Sequence, residues 1–300
     1  MAADKERKIQ EALVGVSDAG RQIDIIARQR GYFMPDEDSA FYATVQEYMS
    51  NKLNLKQATI KLLSPIDKAM LANRKNLNLM DLWFSVIHTA KRTPYRDTEG
   101  HTKLVELMKA IKLHAPPPTA ARQDLYSNLS DFGMSAREAM NDVPGCGAGY
   151  LEPEGHAYAN MAYFYARLTK ERVREFWIYA IWDMRGALEA EHKDSRPDQG
   201  HHSGTAVQKY NTLVPAAAAW IFAMDRLMYE KEQDLTETRP THGDPAKGGP
   251  LWKGKSEFSK ARWALWKSRF EQIAEMDEVS EETRNTAKET VGLMNESERA

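Results

Sequence analysis

The stretch 176–184, FWIYAIWDM, constrains the fold more than any other part of the chain, because it is apolar on nearly every side except at Asp183. A helix that is hydrophobic all round must be buried all round, so the run 171–192 reads as a central helix. Polar residues then follow inside this buried element. Arg185 and Glu189 are four apart and stack on one face, which predicts a coupled pair: either a structural ion pair of the core or the floor of a site.

A chain of 300 residues with 42% apolar content can bury a large core. The net charge of −2 gives no overall electrostatic case for nucleic acid or an anionic membrane. A lone cysteine, Cys146, excludes an intrachain disulfide and fits a reducing compartment. The N-terminal residues MAADKERKIQEALVG lack the apolar segment of a signal peptide, so a cytoplasmic setting is expected. The longest uninterrupted apolar run, 213–224, falls well short of the roughly 20 residues of a membrane span and reads as a buried helix.

From the N-terminus, 9–16 and 23–26 are short amphipathic stretches, closed by Gly31 as a helix C-terminal signal; together they read as an N-terminal helical arm over 1–34. Pro35 and Asp36 open the next helix, and Asn54 with Gln57 forms a capping box for the one after, which Ser64-Pro65 is expected to break. Asn78 is placed as the cap of a helix with Leu82, Trp83, Val86, Ile87 and Ala90 on its core stripe, ended by Thr93-Pro94. A further helix covers 101–113, stopped by three prolines. Ser135 and Glu138 read as a second capping box. The Gly- and Pro-rich stretch 143–155 lacks the preceding strand that a dinucleotide site needs. From 156 to 168 a helix dense in aromatics leads straight into the central one, with Asn160, Tyr163 and Arg167 on one face. After a polar loop at 194–205, the four alanines of LVPAAAAWI allow close packing, with Asp225 and Arg226 at the polar end. A second loop spans 240–254. Trp263, Trp266, Phe270 and Ile273 then form a core stripe, and Ser280 caps a last helix that frays over 295–300. The expected architecture is all-α: one large bundle-like domain of about ten helices over 35–300, preceded by the arm.

The runs DLWFSVIHTAKRTP, NMAYFYARLT, YAIWDMRGALE, LVPAAAAWI and GPLWKGKSEFSKARWALWKSRF resemble a fungal all-helical domain family of unknown function, also known as the oxopyrrolidine-cluster protein G family. The likeness runs from about residue 35 to 295 and implies an all-helical protein, often encoded beside specialised-metabolite genes. The chain also distantly resembles atypical helical humulene synthases of fungal tropolone-sesquiterpenoid pathways, whose metal ligands find no match here residue by residue.

Four constellations carry chemistry. Asn160, Arg167, Arg185, Glu189 and His192 could line a polar pocket for an apolar small molecule, set against the plainer reading of a satisfied buried ion-pair network. Glu189 and His192 have the i, i+3 spacing of di-iron bundles, but the second pair such a site needs has only Asp198 and His201, in a Gly-rich loop, to offer. A terpene-cyclase reading requires magnesium, and only Asp183, Asp225, Glu189 and Glu230 could replace the missing aspartate-rich motif. The basic run Lys253, Lys255, Lys260, Arg262, Lys267 and Arg269, introduced by Trp252, could grip a phosphate near a helix N-terminus, or simply be a solvated face. No GxSxG elbow is present, and no histidine is placed beside Cys146. The function that follows is uptake of an apolar molecule, extending to a prenyl diphosphate, with a non-catalytic helical interaction protein as the alternative. Oligomeric state is left open.

Overall fold

The computed structural model describes residues 2–34, 39–74, 77, 79–146, 149–195, 204–239, 241 and 243–299. Its fold is all-α: twelve helices and a single two-residue ladder among the described residues. Contacts divide the chain at 143/144 into two compact units.

The unit of residues 4–143 holds α1 (Ala2–Leu13) from residue 4 onward, α2 (Ala19–Arg30), α3 (Tyr42–Met49), α4 (Leu55–Leu71), α5 (Met80–Arg92), α6 (Thr98–Leu113) and α7 (Phe132–Asn141). Sequence-encoded caps set several boundaries. Asp18 accepts the backbone N–H of Arg21 at 2.6 Å, Gly31 closes α2 in the left-handed region at φ 72°, and the Asn54–Gln57 capping box is complete. Thr93, extended before Pro94, ends α5. Helix α5 packs against α2, α3, α6 and α7. Its Trp83 is fully buried against Phe132, with its indole N–H on the Ser130 carbonyl at 2.7 Å.

Two expectations for this unit need correction. Helix α4 runs through Pro65, because Leu62, Leu63, Ile66 and Met70 keep one buried face on both sides of it. That packing outweighs the interior-proline penalty of about 3 kcal/mol. Ser135 is not an N-cap: it lies inside α7, its hydroxyl donating back to the Asp131 carbonyl at 3.1 Å, and Glu138 is exposed. The calls on Pro35, Asp36 and Asn78 lie outside the described residues.

The unit of residues 144–300 holds α8 (Glu152–Lys170), α9 (Trp177–Leu188), α10 (Ala206–Tyr229), strands β1 (Gln233–Asp234) and β2 (Glu257–Phe258), α11 (Lys260–Ala274) and α12 (Glu281–Arg299). The strands pair antiparallel. Helix α10 is central, packed on α8, α9 and α12, with Ala216 to Ala219 all buried. Trp263, Trp266, Phe270 and Ile273 are buried along one side of α11, as their spacing requires.

The helix expected over 171–192 is shorter at both ends, covering Trp177–Leu188. Arg172 turns left-handed at φ 54°, and the Thr169 hydroxyl accepts the Phe176 N–H at 3.0 Å, so the chain breaks between α8 and α9; the helix then stops at Leu188. The C-terminal tail is likewise not frayed. Helix α12 continues to Arg299, fastened by Glu298, which accepts from Trp263 at 2.9 Å and pairs with Lys267 at 2.6 Å.

Candidate functional site

Glu189, the residue just past α9, has a fully buried side chain. One carboxylate oxygen accepts from Arg262 Nε and Trp266 Nε1, each at 2.7 Å; the other accepts from Arg262 Nη2 at 3.1 Å and the Gly249 N–H at 2.7 Å. The Arg262 guanidinium is completed by the carbonyls of Ala246 and Glu257. Both carboxylate oxygens and all three guanidinium nitrogens of this buried pair find partners within the network, which is what a charge needs to survive burial. Glu189 therefore pairs with Arg262 and not with Arg185. Arg185 points its guanidinium at the Pro245 and Lys247 carbonyls, at 3.3 and 2.8 Å; the backbone turn from 185 to 189 still closes, but the Glu189 carboxylate is already taken by Arg262, Trp266 and Gly249.

The other candidates from the sequence take separate partners and do not converge on one pocket. Arg167 pairs with Glu171 at 3.2 Å, and Asn160 is buried on α8. His192 lies beyond the helix, ring edge-on to Tyr210 at 4.5 Å, and burial pushes its pKa down. The Glu189–His192 metal spacing is lost because both residues lie past the helix and Glu189 is already saturated; Asp198 and His201 lie outside the described residues. Asp225 sits at a kink, φ 34°, 3.7 Å from Lys170, while Glu230 pairs with Arg226. Lys253 donates to the Pro250 carbonyl and Lys255 pairs with Asp234 at 3.1 Å. The basic run is no single face: Arg262 and Arg269 are buried, and Lys267 is held by Glu298. The loop around 245–251 is pinned to α9 through Gly249 and through Leu251, whose N–H meets the Glu189 carbonyl at 2.9 Å. Asp183 has both oxygens satisfied, by Tyr158 OH and Trp220 Nε1 at 2.7 Å each; burial raises its pKa to about 6.

Open space lies away from those candidates in both units: a pocket of about 200 Å³ beside Glu152, His156 and Glu282 in the 144–300 unit, and a second one in the unit of residues 4–143. A cavity of about 280 Å³ is walled by Tyr32 and Phe33 beyond α2, by Met80, Phe84, Ile87, His88 and Lys91 on α5, and by Glu138, Ala139 and Asp142 at the end of α7. Positions 84, 87, 88 and 91 fall on one helical face, which is how α5 presents a continuous wall. Lys91 lies 3.8 Å from Asp142 and 4.5 Å from the Tyr32 ring centre; Arg30 also meets Asp142, at 3.2 Å. His88 Nε2 faces Asp24 Oδ1 at 2.7 Å, and Arg92 approaches the other Asp24 oxygen at 3.4 Å. Nδ1 of His88 is buried without a hydrogen-bond partner, a condition that ordinarily costs about 1–3 kcal/mol. Burial, with Lys91 and Arg92 assisting, pushes the His88 pKa down and keeps the ring neutral. None of the cavity residues was among the sequence's site candidates. The available signal was Asp24, the only acid in AGRQIDIIARQR, beside the buried Ile23, and a histidine inside the apolar stripe of α5.

A third cluster joins Glu152 and His156 of α8 to Glu282 of α12, with one ligand atom from each within 4.8 Å of the others. Both carboxylates are exposed in the first turn of their helices, where the macrodipole already favours an acid.

With this geometry described, comparison with known proteins gives one match. The profile of the family described as "Protein of unknown function (DUF3632)" matches residues 83–270, more than half of the chain. The chain belongs to that family. The DUF3632 match opens at Trp83 in α5 and closes at Phe270 in α11, so it takes in His88, Lys91, Glu189 and Arg262, while Asp24, Tyr32 and Phe33 lie before it. No curated protein and no solved structure matches the chain.

Proposed function

We propose that this DUF3632 protein binds a neutral, largely apolar small molecule in the cavity of the 4–143 unit. The observation that supports this reading is the cavity itself: about 280 Å³, walled by three aromatic rings with Met80 and Ile87. An apolar cavity of about 150 Å³ takes up benzene, so this one suits a molecule of roughly two rings. Lys91 is already opposed by Asp142, which favours a neutral ligand over an anion. The sequence resemblance to the fungal oxopyrrolidine-cluster family supports a fungal source, a ligand from specialised metabolism and a cytoplasmic setting, all as parts of the same proposal.

A prenyl diphosphate cyclised with magnesium is the more specific form of this reading. It would require several cations and free acids, whereas the cavity wall brings Lys91, Glu138 and Asp142, with Lys91 and Asp142 already facing one another; Lys253 and Lys255, the sequence's candidates for a diphosphate, turn to a carbonyl and to Asp234. Incubation with prenyl diphosphates and magnesium, followed by product analysis, tests that form directly. The alternative, a non-catalytic interaction protein, is favoured for the 144–300 unit by the closed networks of Glu189 and Asp183. The test of the cavity is calorimetric titration with bicyclic apolar probes, with and without Ala139→Phe, which fills the wall at a buried position. Wild-type binding that Ala139→Phe removes supports the reading. Equal binding by both proteins overturns it.

A further inference from the structure

Apart from the cavity, the 144–300 unit brings together a donor set that its packing does not require. Glu152 and His156 are four apart at the start of α8 and so share one face, and Glu282 meets them from the first turn of α12. The macrodipole accounts for an acid at each helix start but not for an imidazole beside both. His156 Nε2 and Glu282 Oε2 stand 3.4 Å apart, beyond the span of about 2.7–3.2 Å of an ordinary N–H···O bond, and one ligand atom of each residue lies within 4.8 Å of the others. Among the described residues this is the only ion pair that the three make, and no lysine or arginine lines the pocket of about 200 Å³ onto which they face.

Both turns that carry these side chains are braced on α10. Asn211 Oδ1 accepts the Ser280 N–H at 3.0 Å and the Thr283 hydroxyl at 2.9 Å, which fixes the start of α12, and a Cβ at Gly155 would meet the Thr212 hydroxyl at 3.4 Å, which measures how closely α8 lies on α10. Thr212 adds an observation of its own. Its side chain lines the same pocket, the residue is 4% exposed, and its hydroxyl has no hydrogen-bond partner among the described residues, although a helical threonine ordinarily bonds back to its own helix. A tetrahedral zinc ion with bonds of about 2.0–2.1 Å holds neighbouring ligand atoms about 3.3–3.4 Å apart, the separation that His156 and Glu282 already have. Glu152 is exposed, so a change of side-chain rotamer closes the remaining gap. An imidazole with two carboxylates suits a dication of the zinc kind better than magnesium or calcium, which prefer oxygen donors alone, and the ion cancels the charge of the two acids. We propose that Glu152, His156 and Glu282 bind one divalent transition-metal ion through three protein ligands, with the fourth position open to the pocket, where Thr212 offers a hydroxyl to the water or oxygen ligand that fills it.

The experiment is calorimetric titration of the full chain, stripped of metal, with Zn²⁺, Co²⁺ and Mg²⁺, beside the variants Glu152→Gln, His156→Ala and Glu282→Gln. The three side chains are exposed or half-buried, so the variants keep the fold, which circular dichroism checks. Wild type takes up one equivalent of Zn²⁺ or Co²⁺, and each variant loses at least about tenfold in affinity, a loss that even the outer partners of a metal ligand produce. Mg²⁺ binds at least about tenfold more weakly than Zn²⁺. Zinc also raises the thermal midpoint of wild type and leaves that of His156→Ala in place, because an ion held between α8 and α12 stabilises only the folded chain. Binding that none of the three variants weakens belongs to another of the chain's 8 histidines and overturns the inference. Failure of both Zn²⁺ and Co²⁺ to bind overturns it as well, and Mg²⁺ bound as tightly as Zn²⁺ overturns the assignment to a transition metal. Should one variant not fold, the other two decide; the cavity reading stands or falls separately, on its own titration.

Discussion

Glu189 receives four hydrogen bonds from three residues in a place water does not reach, and its energetics follow from that saturation. Removing Arg262 alone leaves a buried carboxylate without its counter-charge, so Arg262→Met should cost about 3–5 kcal/mol, and Glu189→Leu a comparable amount. The double variant should lose less than the sum, because the orphaned charge disappears with its partner. Urea unfolding of the four proteins measures this, and strictly additive losses would show that the pair is not coupled. Asp183 yields a pH effect. In an unfolded chain its carboxyl titrates near 3.8, and in the fold at about 6, so the folded state binds the extra proton between these values. Its contribution to stability is therefore complete below about pH 3.8 and is lost as pH rises through about 6, a difference of about 3 kcal/mol. Unfolding midpoints at pH 4 and 7 should show this component in wild type and not in Asp183→Asn. Reading Glu189 and Asp183 as buried polar residues was possible from the sequence because an apolar helix surrounds them. Naming their partners was not, since Arg262 lies 73 positions away and looked like one cation in a basic run.

Caps, proline stops and apolar stripes exposed most elements to sequence reading, and the failures have a common cause. Pro65 and Arg172 act against local propensity: the first stays in a helix because a buried face continues past it, the second breaks one without a glycine. Packing of a continuing buried face decided the first, and a short-range side-chain hydrogen bond from Thr169 to the Phe176 N–H accompanies the second; neither shows in residue propensity. The stretch 240–254 was expected to be a loop delivering Trp252, Lys253 and Lys255 to a phosphate; its 245–251 part is strapped to the end of α9. At Gly249 a Cβ would stand 2.6 Å from the Glu189 carbonyl oxygen and 2.8 Å from its Cβ. Gly249→Ala should therefore lift the strap, and limited proteolysis within 243–256 should accelerate severalfold while helical content is kept. Unchanged cleavage in the variant would mean that the strap tolerates the displacement.

For the molecule as a whole, the all-α class was legible from 3.6-residue periodicity, whereas the cavity was not, because a void is a property of packing between helices distant in sequence. The expected effect of its ligand is regional. A saturating bicyclic apolar probe should slow amide exchange in α2, α5 and α7, by an amount that grows with ligand concentration over Kd. Equal protection of α9 and α11 would show that both units open in one cooperative step; no protection anywhere would remove the cavity from consideration. The reach of the Glu189–Arg262 pair has a further consequence during synthesis. The carboxylate leaves the ribosome first, and its guanidinium follows 73 residues later, roughly 4–15 s at 5–20 residues per second. Through that interval the nascent chain carries one of its most apolar segments, 176–184, ending near a charge that nothing yet neutralises. The pairing of the α9 end with α11 must then wait for Arg262, so a pause in translation between codons 190 and 262 prolongs the period in which this carboxylate has no counter-charge.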